Sequence, residues 1–233
     1  MSRKLKFIVP ALALMWLGGK IIQISTTSAK AEPTLSFEVD EDADSAKLRP
    51  LVAEMRDLNT DDPAFLTRFN DTIRSRFRVR QFADLDTFAA EQRQQKVRLP
   101  DGSWLLTRLY EAISVPNAAS SEAEYLAHFR LLEDWIDERQ DSVTARVAYA
   151  EGWIAYAAHA PESTVLRQRL VKAEGLLTEA SKLHAKCPHL FSTMLTLAHA
   201  EGWPRQDVER LQKMALAYEP LYPPINIVFP QQP

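Results

Sequence analysis

The side chains best suited to chemistry fall into three groups. The first is His184-x-x-Cys187-x-His189, with His199 one helix later. Imidazole and thiolate suit zinc or copper, and three or four such groups could close a tetrahedral site. The spacing matches no standard finger or knuckle. The same residues also fit a helix C-terminus, with His184 on the carbonyl dipole and Cys187 simply buried. The second group is Arg74, Arg76, Arg78 and Arg80, alternating through RSRFRVR. An extended segment would set all four on one face, ready for a phosphate or an acidic partner. A helix would spread them around its surface. The third group is Glu151 and Glu201, each followed by Gly-Trp, which brings in Trp153 and Trp203. A carboxylate beside an indole on a concave surface could hold a partner or move a proton. Glu133, Asp134, Asp137 and Glu138 crowd one helix. A glycosidase needs two carboxylates on opposite sides of a cleft, so these read as a solvated surface. No Ser-His-Asp signature, phosphate loop or dinucleotide fingerprint occurs, and the sequence implies no cofactor.

All of these residues depend on helices for their placement. The clearest is a hairpin over Ser121 to His159. Ser121 stands three residues before Glu124, which is a capping box. Tyr125, Phe129, Leu132 and Ile136 then step by four, three and four, and Leu126 and Trp135 widen the stripe. Asp141 or Ser142 can cap the second helix, which is rich in alanine and carries Gly152 in its interior. Small side chains allow close backbone approach, so this helix is expected to be the most enclosed one. A mid-helix glycine costs about 1 kcal/mol relative to alanine, which close packing can offset.

Further helices are expected on both sides of the hairpin. A short one starts at Pro50 with Leu51, Met55 and Leu58. Asp62-Pro63 is a start signal for a helix using Leu66, Phe69 and Ile73. Phe82 to Gln95 makes another, and Trp104 to Ser114 a third after the Pro100-Asp101-Gly102 turn. Beyond the hairpin, Leu166, Leu170, Ala173, Leu177 and Ala180 give the strongest helical period, expected to run to Pro188. Leu190 to Glu201 follows, with Gly202 as its C-terminal cap. Pro204 opens the last helix, with Val208, Leu211, Ala215 and Tyr218 inward. Ala180 and Ala215 lie 35 residues apart near two helix ends, close to the tetratricopeptide period of about 34 residues. The expectation is an all-α fold of stacked antiparallel helix pairs, tetratricopeptide-like.

Residues 1–31 are expected to lie outside this fold. Arg3, Lys4 and Lys6 precede an apolar run from Phe7 to Gly19, and Ala29-Lys30-Ala31 offers the small residues of a signal-peptidase site. The segment reads as a cleaved signal peptide or as an anchor holding the chain at the inner membrane through residues 7–25. Either leaves the body outside the cytoplasm, in the periplasm. Residues 32–49 form an acidic linker, 50–222 the helical domain and 223–233 a Pro-rich tail. Cys187 is the only cysteine, so no internal disulfide supports the fold. The net charge of −3 means that nothing global points to nucleic acid, and none is expected as a partner.

Three stretches together resemble a bacterial family of tetratricopeptide-like proteins, domain of unknown function 4034. They are LPDGSWLLTRLYEAI (99–113), LEDWIDERQDSVTARVAYAEGWIAYAAHA (132–160), and CPHLFSTMLTLAHAEGW with ALAYEPLY (187–203, 215–222). Family members usually carry an ARG-containing loop where this chain has HAPES, and they extend beyond the EP-x-Y motif. The resemblance implies a helical-repeat fold over residues 50–222 and no particular activity. The functional expectation is therefore a protein or peptide interaction module. The alternative is a metal-dependent or carboxylate-based hydrolase acting outside the cytoplasm.

Overall fold

The computed structural model describes residues 51, 60, 62, 64–117 and 120–226. The signal or anchor segment (1–31, including 7–25), the linker (32–49), Met55, Leu58 and residues 227–233 lie outside the described residues. Helix accounts for 74% of the described residues, with no strand among them. The fold is all-α.

Nine helices are described: α1 (Phe65–Arg78), α2 (Phe82–Gln95), α3 (Leu105–Ile113), α4 (Glu122–Glu138), α5 (Val143–Ala157), α6 (Ser163–Lys182), α7 (Pro188–Ala200), α8 (Arg205–Tyr218) and the single turn α9 (Pro223–Asn226). From α4 to α8 the connections are four or five residues long, which makes sequence neighbours antiparallel and adjacent. Consecutive helices pack on each other along this run. Alternate helices also touch, α5 with α7 and α7 with α9. In the first half, α1 packs on both α2 and α3.

Helix ends follow local chemistry. Ser121 accepts from the Glu124 N–H, and Glu124 accepts in return from the Ser121 N–H, completing the capping box at α4. Ser142, rather than Asp141, caps α5 by accepting from the Ala145 N–H. Asp62 accepts from the Ala64 N–H ahead of α1 and pairs with Arg68 at 2.8 Å. Gly202 sits at φ +67° just past α7, the left-handed position that ends many helices.

Three boundaries differ from the sequence pattern. The α6 helix stops at Lys182, and Pro188 opens α7 instead of ending α6. Proline fits the first helical position because its missing N–H would have no partner there. Tyr218, expected inward, is 40% exposed because α8 ends on that residue. Residues 223–226, expected to begin the Pro-rich tail, form a helical turn, and Ile225 is fully buried.

The core runs through α5, which buries twelve of its fifteen residues. A helix buried all round must be built from small side chains wherever another backbone comes close. At Gly152 it does: a Cβ there would stand 2.6 Å from the Ser114 carbonyl oxygen and 3.0 Å from the Phe129 ring. Asp86 of α2 fixes the other end of the hairpin. Its carboxylate accepts from the Trp135 indole at 3.2 Å and the Ser142 hydroxyl at 2.6 Å, with Arg139 at 3.5 Å. Trp135 is fully buried and stacks on Phe82, ring centroids 5.2 Å apart.

Two glycines should respond oppositely to alanine. Gly152→Ala forces α5 off the end of α3 and should destabilise the fold by roughly 1–3 kcal/mol, the cost of overpacking. At Gly175, in the exposed interior of α6, nothing lies within 4 Å of an added Cβ. Gly175→Ala should stabilise by about 0.5–1 kcal/mol, since helical glycine pays backbone entropy. Urea unfolding of the two variants measures both signs.

Candidate functional site

Two residues that the sequence assigned to different groups come together. Glu151 of α5 and His189 of α7 meet with His189 Nε2 at 3.2 Å and 3.3 Å from the two carboxylate oxygens. His189 Nδ1 lies 2.6 Å from the Tyr222 hydroxyl. The Thr107 hydroxyl donates to Tyr222 at 3.0 Å, and Ser114 donates to Glu151 at 2.7 Å. With Thr107 donating, the Tyr222 proton points at Nδ1, and Nε2–H then donates to Glu151. The donors thus run in one direction, from α3 through the segment after α8 and through α7, to a carboxylate on α5. His189 also stacks flat on Tyr110, centroids 4.0 Å apart, and the Tyr110 hydroxyl lies 3.3 Å from Cys187 Sγ.

Carboxylate, imidazole and hydroxyl in this order is the arrangement that activates a nucleophile in many hydrolases. Here the hydroxyl belongs to Tyr222, which is fully buried. Burial pushes its pKa well above the ordinary tyrosine value, and it does the same to Tyr110. For Glu151, burial acts upward, but the neighbouring His189 and the hydrogen bonds from His189 and Ser114 outweigh it and hold the carboxyl below its usual value. The Glu151 side chain is one-third exposed while that of His189 is 5% exposed. No substrate atom can reach the hydroxyl, so the array fastens the C-terminal segment to three helices.

The structure does not gather the candidate metal ligands in one place. His184 is exposed, whereas Cys187 and His189 turn into the core. Both His189 nitrogens are occupied by Tyr222 and Glu151, and His199 is exposed at the end of α7. Among the described residues no three His, Cys, Asp or Glu side chains group so as to hold a metal ion.

The four arginines are also separated. Arg74, Arg76 and Arg78 lie on α1, where residues two apart point about 200° away from each other. Arg74 reaches the Ala112 carbonyl at 3.4 Å. Arg76 is buried, with Gln81 at 2.6 Å and Asp84 at 3.1 Å. Arg78 is exposed. Arg80, at φ +59°, pairs with Asp134 at 3.3 Å. They form no common anion site.

The two Glu-Gly-Trp echoes have unrelated structures. Trp203 Nε1 donates to Glu201 at 2.7 Å in the turn after α7. On α5, Glu151 and Trp153 are two residues apart on a helix and face opposite ways, Glu151 toward α7 and Trp153 toward α4. Trp153 is partly exposed and lies 4.6 Å from Phe129, with Tyr149 and Tyr156 each at 6.0 Å. Tyr149 donates to Glu133 at 2.6 Å, and Tyr156 donates to Glu122 at 2.7 Å. Burial and the hydrogen bond to the Glu133 carboxylate push the Tyr149 pKa well above the ordinary tyrosine value. Leu126, one turn along α4 from Phe129, is 44% exposed.

Sequence reasoning missed two other features. Tyr218 and Leu221, 40% and 60% exposed, make an apolar patch with Phe191, whose ring lies 5.3 Å from Tyr218. His128 of α4 sits at the end of α3 with its Nε2–H on the Ile113 carbonyl at 2.8 Å. The only sequence signal for it was its place beside Phe129 at the edge of the apolar stripe.

No family model, curated protein or solved structure matches the chain.

Burial, with repulsion from Arg74 and Arg78, lowers the His128 pKa to about 4. The unfolded chain takes up this proton near pH 6.5, well before the folded one. The associated stability is complete above about pH 6.5 and is lost as pH falls toward 4, up to roughly 3 kcal/mol. Melting temperature should fall as pH is lowered through this window. His128→Gln, which keeps a donor for Ile113, should flatten the slope.

Proposed function

We propose that the chain is a helical scaffold that binds a protein or peptide partner outside the cytoplasm. The observation that carries this reading is the α4–α5 seam, where Leu126 and Trp153 leave apolar surface open beside a buried aromatic row. Partly exposed tryptophan is a favoured anchor in protein interfaces. Paired helices with short connections suit such a role, because their outer faces are free to vary while the core is kept. Repeats of the tetratricopeptide type are part of the same proposal. Export rests on Arg3, Lys4 and Lys6 ahead of the apolar run and on Ala29-Lys30-Ala31. No described helix is long and apolar enough to cross a membrane.

A photo-crosslinking residue placed at Leu126 in the native host should capture a discrete partner, and the same residue at Gln206 on α8 should not. In a separate affinity pull-down from the same host, Leu126→Asp should lose that partner while shifting stability by no more than about 0.5 kcal/mol, as an exposed substitution does. Equal capture from both positions would remove the seam as the binding surface. The intact mass of the native protein tests export in parallel, since loss of residues 1–31 marks cleavage.

A further inference from the structure

We propose that the α4–α5 seam receives a cationic side chain, and that the partner presents a basic peptide segment with arginine over Trp153. This rests on the binding-module reading and names the chemistry of its partner. Three observations support it.

The first is the layout of the seam. Trp153 sits between two tyrosines of its own helix, Tyr149 one turn before and Tyr156 one turn after. Each phenol donates to a carboxylate of α4, Tyr149 to Glu133 and Tyr156 to Glu122. A partly exposed indole between two carboxylate-bonded tyrosines attracts a cation twice, through the ring quadrupole and through the carboxylates. Tryptophan is the strongest of the aromatic side chains in this role.

The second is charge balance. Between Glu122 and Glu138, α4 carries Glu122, Glu124, Glu133, Asp134, Asp137 and Glu138 against Arg130 on the helix and Arg80, which pairs with Asp134. His128 adds no charge at neutral pH, since its pKa is lowered to about 4, chiefly by burial. The charged residues of α5 point elsewhere, Arg146 to Glu179 of α6 and Glu151 to His189 of α7. Complementarity therefore calls for a basic occupant.

The third is that the same aromatic row already holds one cation. Arg169 of α6 lays its guanidinium 3.3 Å from the centre of the Tyr156 ring and donates to the Tyr156 carbonyl at 2.7 Å. Phe129 contacts both Tyr156 and Trp153, so the two rings belong to one continuous aromatic row. Arg169 fills the end next to α6, and the Trp153 end has no guanidinium within cation–π reach among the described residues.

The test uses fluorescein-labelled hexaarginine titrated with the full chain and read by anisotropy, with hexaglutamate as the opposite-charge probe. Hexaarginine should bind, more weakly as salt rises, and hexaglutamate should not. Glu122→Gln with Glu133→Gln should weaken binding at least tenfold, as should Trp153→Leu. Asp207→Asn with Glu209→Gln removes the same charge from α8 and should stay within twofold of the parent. Thermal melting of each variant reports its folding. If Trp153→Leu does not fold, the Glu122/Glu133 variant still decides. Equal loss in the α8 variant, or no loss at the seam, overturns the proposal. A crosslink at residue 126 without hexaarginine binding also overturns it, yet leaves the binding module standing. Seam-dependent hexaarginine binding without any crosslink supports the site and counts against the native partner.

Discussion

The approach of α5 to the end of α3 is the contact on which the rest of the structure depends. Gly152 brings one backbone against the Ser114 carbonyl with no side chain between them. That contact sets the depth at which α5 lies, and α5 in turn touches α4, α6 and α7. A larger residue would move α5 outward and open all three interfaces at once. Close packing transmits such a shift because interiors leave little space to absorb it.

Polar groups then fix the order in which the helices meet. Asp86 collects an indole, a hydroxyl and a guanidinium from the hairpin, so α2 holds the α4–α5 turn in one position. Thr107, Tyr222, His189 and Glu151 do the same for the segment after α8. Such groups add modest net stability, because each gave up water to be buried. Their larger effect is to penalise alternatives, since any other docking would leave a buried donor or acceptor unpaired. This is why a carboxylate–imidazole–hydroxyl array here reads as architecture: its hydroxyl is sealed in, and every atom already has its partner.

The α4–α5 seam is built differently. Its polar groups lie at the edge, where carboxylates bond to phenols and remain in contact with water. The aromatic row beneath supplies rigidity at low entropy cost, since each ring has only two rotatable bonds. The seam is therefore rigid beneath and acidic along its rim, the two properties on which the proposed binding role rests.

Local chemistry was readable from the chain. The capping box at Ser121 and Glu124, the enclosure of the alanine-rich helix and the close packing at Gly152 all follow from residue type and a 3.6-residue period. The same period could not show that Tyr218 falls on the last turn of α8 and faces water, or that Pro188 starts a helix rather than stopping one. Periodicity defines a face but not what covers it. The candidate site was legible only in fragments. Glu151 and His189 were each noticed, for a groove and for a metal, and the chain gave no sign that they share one hydrogen-bonded line. Glu151 and Trp153 looked like one motif, yet two residues on a helix face opposite sides. Spacing along the sequence fixes which residues share a helix face. Contacts between residues 37 to 115 positions apart, such as Ser114 with Glu151 or Thr107 with Tyr222, depend on how the helices cross, and that was decided by tertiary packing.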